Sequence, residues 1–135
     1  MKRIQFNISD LLKFVRDNIA DIGTHVFVAN RPNLTDTQMK DFIIISLPYS
    51  IQDYIVFQTT TIRIEIAVRC KNGNVENVAR LQELLDKITE KMPMADGNKF
   101  RISRPKLALK GSDITGFSFW CIQAEADIYT TDRLN

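Results

Sequence analysis

The sequence predicts an α+β fold: a single, mostly antiparallel sheet of about four to five strands, with two helices packed on one face, in the order α-β-β-β-α-β-β. Three observations predict it. Apolar residues recur at three and four over residues 8–22 and 75–92, the period of helices that bury one stripe. They alternate with period two over residues 59–69 and 116–130, the period of half-buried strands. The two patterns meet in "TTTIRIEIAVRCKNGNVENVARLQELLDK", residues 59–87, where a strand hands over to a helix within a few residues.

In chain order, the first helix aligns Ile8, Leu11, Leu12, Val15, Ile19 and Ile22 on one stripe. Asn7 and Asp10 have capping-box spacing, and Gly23 supplies the stop. "HVFVA", 25–29, is a short strand, and the polar, turn-rich residues 30–41 form a long loop. "FIIISL", 42–47, is apolar on both faces, as expected of a strand covered on both sides, and Pro48 ends it. The next strand, about 55–69, alternates Ile62, Ile64, Ile66 and Val68 with Arg63, Glu65, Ala67 and Arg69. Asn-Gly at 72–73 makes the turn, and Asn74 caps a helix over 75–92 that buries Val75, Val78, Leu81, Leu85, Ile88 and Met92. Its outer face pairs Glu76 with Arg80 and Glu83 with Lys87, and Pro93 stops it. Two strands follow: 99–110, broken at Pro105, and 116–130, with Trp120, Ile122, Ala124, Ala126 and Ile128 on one face.

The 135 residues suit one domain, 1–135, with 131–135 as a flexible tail. With 44% hydrophobic and 25% charged residues, the composition is that of a globular protein, and no apolar run reaches bilayer length. The net charge of +2 announces neither a nucleic-acid nor a membrane protein. After its basic pair the amino terminus interleaves Asp10, Lys13, Arg16 and Asp17 with apolar residues, so it reads as an amphipathic helix of a protein that stays in the cytosol. Cys70 continues the isoleucine face of its strand while Cys121 lies opposite Trp120 and Ile122, so the two sulfurs point to opposite sides and buried thiols are expected.

Catalytic and metal chemistry find little material, and no catalytic residue, metal or cofactor is expected. The turn "CKNGNV" has one glycine, preceded rather than followed by its lysine, so it lacks the P-loop spacing that converges several backbone N–H groups on phosphate. It reads as a structural joint. His25 is the only histidine, which leaves no histidine cluster for zinc. Glu125 and Asp127 share a strand face about 7 Å apart, the separation of an acid/base pair, but nothing near them supplies the apolar pocket that would drive their pKa values apart. A charged face that is solvated or interfacial fits better, with Arg63 or Arg69 as partners. Lys99, Arg101, Arg104, Lys106 and Lys110 fall within twelve residues free of acids. Phosphate contact is one reading. Only Phe100 is there to stack on a base, and an edge strand protected by lysines and a proline fits better.

One excess remains. Phe117 and Phe119 lie opposite Trp120, and "FIIISL" is apolar on both sides, yet helices on one face cannot cover the other. A second copy or a partner is the expected cover. Arg63, Glu65, Arg69, Gln123, Glu125 and Asp127, with Phe117 and Phe119, are then the candidate subunit-interface residues.

The order of "ISDLLKFVRDNI", "HVFVANRP", "DFIIISLP", "TTTIRIEIAVRC", "VENVARLQELLDKITEKM" and "FSFWCIQAEADIY" resembles the tail-terminator or tail-completion proteins of long-tailed bacteriophages and related minor tail and neck components. The step "LPYSIQDYIVF" is similar too. The resemblance spans nearly the whole chain and is one of arrangement, without a catalytic signature. It implies a non-enzymatic structural protein of a phage or prophage. Such proteins form a homo-oligomeric ring, typically of six subunits, that ends the tail tube and joins it to the head–tail connector. Residues 30–41 and 93–99 would be its axial contact loops. Assembly in the bacterial host cytoplasm and residence in the virion tail or neck follow, without a membrane partner. Two other classes stay open at this point: a small-molecule-binding or enzymatic α+β domain, and a nucleic-acid or macromolecular adaptor using the basic strand 99–110.

Overall fold

The computed structural model of the chain describes residues 8–28, 40–47, 52–53, 57–71, 75–96, 100–112 and 116–129. Their order is α1 (Ile8–Ile19), β1 (His25–Val28), β2 (Asp41–Ser46), β3 (Gln52–Asp53), β4 (Phe57–Arg69), α2 (Val78–Glu90), β5 (Met94–Asp96), β6 (Phe100–Ser112) and β7 (Phe117–Tyr129). The class is α+β, as expected. The sheet is larger and less uniform than expected: six strands lie in the order β1-β2-β4-β7-β6-β5, and β3 pairs β4 off that path. Its edge pair β1–β2 is parallel, so the sheet is mixed. The short strands β3 and β5 went unread because two or three residues cannot display a period. For the same reason residues 94–96, expected within a loop, form a strand against Phe100–Ile102.

Three strands of thirteen residues make the spine. β7 pairs β4 along its whole length, from Phe117↔Arg69 to Tyr129↔Phe57, and pairs β6 on its other side. Alternation then sends Ile62, Ile64, Ile66 and Val68, with Trp120, Ile122, Ala124, Ala126 and Ile128, into one core with the two helices. From α1 this core takes Leu11, Leu12, Val15 and Ile19, with Ile22 just beyond the helix, which is the stripe that the periodicity predicts. The helix α1 packs against β1 and β2 near one end of the strand order and against β5 at the other, with Phe14 and Phe100 rings 5.7 Å apart. The sheet therefore curls around it.

The second helix is shorter than its periodicity suggested, and its buried stripe is rotated. Asn77, not Asn74, is the cap, its Oδ1 accepting from the Arg80 N–H at 3.3 Å. Asn74 itself lies outside the described residues, as does Asn7 of the expected capping box. Leu81, Leu84 and Ile88 are buried, each worth about 2 kcal/mol of transfer free energy, while Leu85 and Met92 pack at the margin. Val75 and Val78 are exposed, a correction to the expected stripe. Val75 precedes the helix and bridges Lys71, whose N–H donates to the Val75 carbonyl at 2.7 Å.

The charge pairs also differ in part. Glu83 and Lys87 meet at 3.2 Å as the i,i+4 spacing predicts. Glu76 instead accepts from the Trp120 indole N–H at 2.6 Å, because a buried indole donor must find an acceptor. Arg80 is left to bind Asp41 at 2.8 Å and Glu83 at 3.1 Å. Asp41 also accepts from the Thr24 hydroxyl, so one carboxylate ties the start of β2 to α2 and to the turn before β1.

Candidate functional site

The candidate surface is the sheet face turned away from the helices, and strand register assembles it row by row. β2, β4, β7 and β6 place Ser46, Arg63, Gln123 and Lys106 side by side. The next row toward the Phe117 end is Ile44, Glu65, Cys121 and Leu109, and the one after it Phe42, Ala67, Phe119 and Gly111. In the opposite direction, Glu125 sits between Thr61 and Ser103, and Asp127 between Thr59 and Arg101. The face thus grades from an aromatic end, near Phe117, to a charged end.

At the aromatic end Phe42, Ile44, Ala67 and Phe117 are buried within the single chain, with Phe27 and Phe119 half-buried beside them. The Phe42 ring meets Phe117 edge-on at 5.2 Å and Phe119 at 6.1 Å, and the Arg69 guanidinium lies 4.6 Å over the Phe117 ring. Much of the apolar patch expected on this face is thus buried within the chain itself. Phe117 is fully buried and Phe119 half-buried, so Phe119 rather than Phe117 offers its edge to the outside.

In the middle, Arg63 Nε lies 3.1 Å from Glu65 Oε1. Its N–H is not aligned on that carboxylate, and the nitrogen is buried without a hydrogen-bond partner. Cys121 sits beside this pair. Burial pushes its thiol pKa up, and the Arg63 guanidinium opposes the shift without cancelling it. The thiol is held protonated at neutral pH, the opposite of what a nucleophile needs. Cys70 lies on the helix side, 3.3 Å from the Ser118 hydroxyl, so the two free cysteines do stand on opposite faces.

At the charged end the basic strand meets acids across its neighbour. Arg104 reaches Glu125 at 3.4 Å, and Arg101 is in register with Asp127, which also accepts from the Thr59 hydroxyl at 3.1 Å. Arg101, Arg104 and Lys106 are exposed. The run that looks purely cationic along the chain is therefore interleaved with carboxylates across strands, which weakens a phosphate-binding reading. Arg104 holds φ 55 where the β6–β7 register shifts between Ser103 and Lys106, so the break at Pro105 is a bulge inside one continuous strand. Lys110 is in register with Trp120, whereas Lys99 lies outside the described residues. Glu125 and Asp127 each have their own partner, Arg104 and the Thr59 hydroxyl.

Among the described residues no group of three or more histidine, cysteine or acidic side chains is placed to hold a metal ion. No described helix is long and apolar enough to cross a membrane. Most of the expected axial loop 30–41 lies outside the described residues.

No protein-family profile matches the sequence, and no curated protein does. Among solved structures, the chain is similar over 98% of its length to the PVC sheath/tube terminator of an extracellular contractile injection system, seen by cryo-EM in its extended state, at 10% sequence identity and a TM-score of 0.44. The chain spans 60% of that protein's length.

Proposed function

We propose that this chain is a structural component of a phage-type tail that ends the tail tube as a ring of identical subunits and joins it to the connector above. The observation that carries the reading is the order of elements. An amino-terminal helix, a short strand, an apolar strand, a long charged strand, a helix and a long final strand stand in the arrangement that the tail-terminator resemblance requires. The graded sheet face is the surface on which assembly would depend. Arg63, Glu65, Arg69, Gln123, Glu125 and Asp127 set the register of a neighbouring subunit, and Phe119 contributes a partly exposed apolar edge. Phe117, being buried, acts from beneath by holding Arg69 and Phe119 in place. Recognition of this kind needs complementary surfaces and no reaction.

The test is to add the purified protein to polymerising tail-tube subunits and examine the products by electron microscopy. Rings seated on tube ends, with tube growth arrested, are the expected result. A protein that stays monomeric and leaves tube ends bare overturns the reading.

A further inference from the structure

Among the strands of four or more residues, β1 alone has no fully buried side chain, whereas its neighbour β2 buries Phe42 to Ile45. Among the described residues β1 pairs only with β2, over four positions and in parallel, the weaker kind of ladder. Its side chains add contacts at the margin. Phe27 meets Phe42 edge-on at 6.3 Å, and Val26 and Val28 pack at the border of the helix-side core. A strand with so little burial opens more readily than the sheet it borders.

One side chain supplies polar contacts where burial is thin. All three nitrogens of the Arg80 guanidinium are engaged: Nε donates to Asp41 at 2.8 Å, Nη2 donates to the Gly23 carbonyl at 3.2 Å, and Nη1 lies 3.1 Å from Glu83. Asp41 also accepts from the hydroxyl of Thr24. Gly23 and Thr24 lead directly into β1, and Asp41 is the first residue of β2. The stretch of chain that holds β1 therefore leaves and returns at a single guanidinium. The side chains of Arg80 and Asp41 are only 24% and 14% exposed, so water and salt screen this pair less than a surface one.

We propose that β1 and the turn before it form a strap that opens as its own unit while the rest of the sheet stays folded, and that Arg80 is its fastening. The strap has a task. β2 is "DFIIIS", uncharged after Asp41 and apolar on both faces, the composition of a strand that pairs readily with other chains when its edge is bare. Closed, β1 occupies that edge from Phe42 to Ile45. Open, it leaves those backbone groups to any extended segment that meets them. Arg80 thus guards the most aggregation-prone strand of the molecule without touching it.

Hydrogen exchange on the full chain, read by mass spectrometry, tests the strap. Peptides covering 25–28 should exchange at least about tenfold faster than those covering 120–124, which open only with the whole fold. Ile122→Val should speed exchange at 120–124 roughly fivefold and leave 25–28 unchanged, because the core stays intact when only the strap opens. Arg80→Met, which keeps the aliphatic stem and removes the fork, should speed 25–28 roughly tenfold, the effect of one lost charge-assisted hydrogen bond. Exchange at 25–28 that follows 120–124 in Ile122→Val overturns the separate opening, and unchanged exchange there in Arg80→Met overturns the fastening. The guarding role has its own readout. Compared at equal distances below their melting temperatures, Arg80→Met should form thioflavin-binding aggregates sooner than Ile122→Val, and equal rates refute it.

Discussion

At the scale of single residues, alternation along a strand is easier to read than rotation around a helix. Every core position expected of Ile62 to Val68 and of Trp120 to Ile128 is buried, because a period of two leaves only two faces to choose between. On α2 the choice is continuous. Leu84 and Leu85 are adjacent leucines, and a stripe extended from Val75 and Val78 selects Leu85. The structure selects Leu84, because the helix starts only after Asn77 and the valines fall outside the stripe. Leu84→Ala should therefore cost about 3 kcal/mol by chemical denaturation, and Leu85→Ala about 1 kcal/mol. Equal costs would mean that the helix face has been assigned wrongly. Glu76 was illegible for a different reason: its partner, the Trp120 indole, is 44 residues away in sequence, and no local spacing points to it.

At the scale of elements, the end of α2 is held to the turn after α1 by a polar clasp. Lys91 binds Asp21 at 2.9 Å, the Lys87 ammonium reaches the Ile22 carbonyl at 3.4 Å, and Glu83 joins Lys87 and Arg80. The hydrogen bond from Lys91 holds the Asp21 carboxyl below the usual carboxylate range, and those from Lys87 and then Arg80 do the same for Glu83. A carboxyl that binds its proton less tightly when folded contributes stability that is complete above its ordinary pKa. That stability is lost as pH falls through the lowered folded value. The melting temperature should hold steady from about pH 7 to pH 5 and drop below about pH 4. The double variant Asp21→Asn, Glu83→Gln should show a shallower acid drop. Both carboxylates are exposed, so the difference should shrink in high salt. An identical acid profile in the variant would remove the clasp from the account of stability.

At the scale of the whole molecule, the fold class and the helix-bearing face were legible, whereas the mixed edge and the curl were not. Parallel pairing of β1 with β2 is a matter of which neighbours meet, and "HVFV" reads the same in either direction. On the second apolar face Phe42, Phe117 and Phe119 pack ring against ring within the chain. For assembly the outer face offers exposed ion pairs such as Arg104–Glu125. Salt screens such pairs. Raising salt from about 0.1 M to about 1 M cuts the Debye length roughly threefold. Over that range the self-association proposed for this face should weaken by sedimentation. The Glu125→Lys variant, which replaces the Arg104 partner by a like charge, should weaken self-association at low salt while its circular dichroism stays that of the folded chain. Self-association unchanged by salt and by this variant would remove the charged face from the subunit contact.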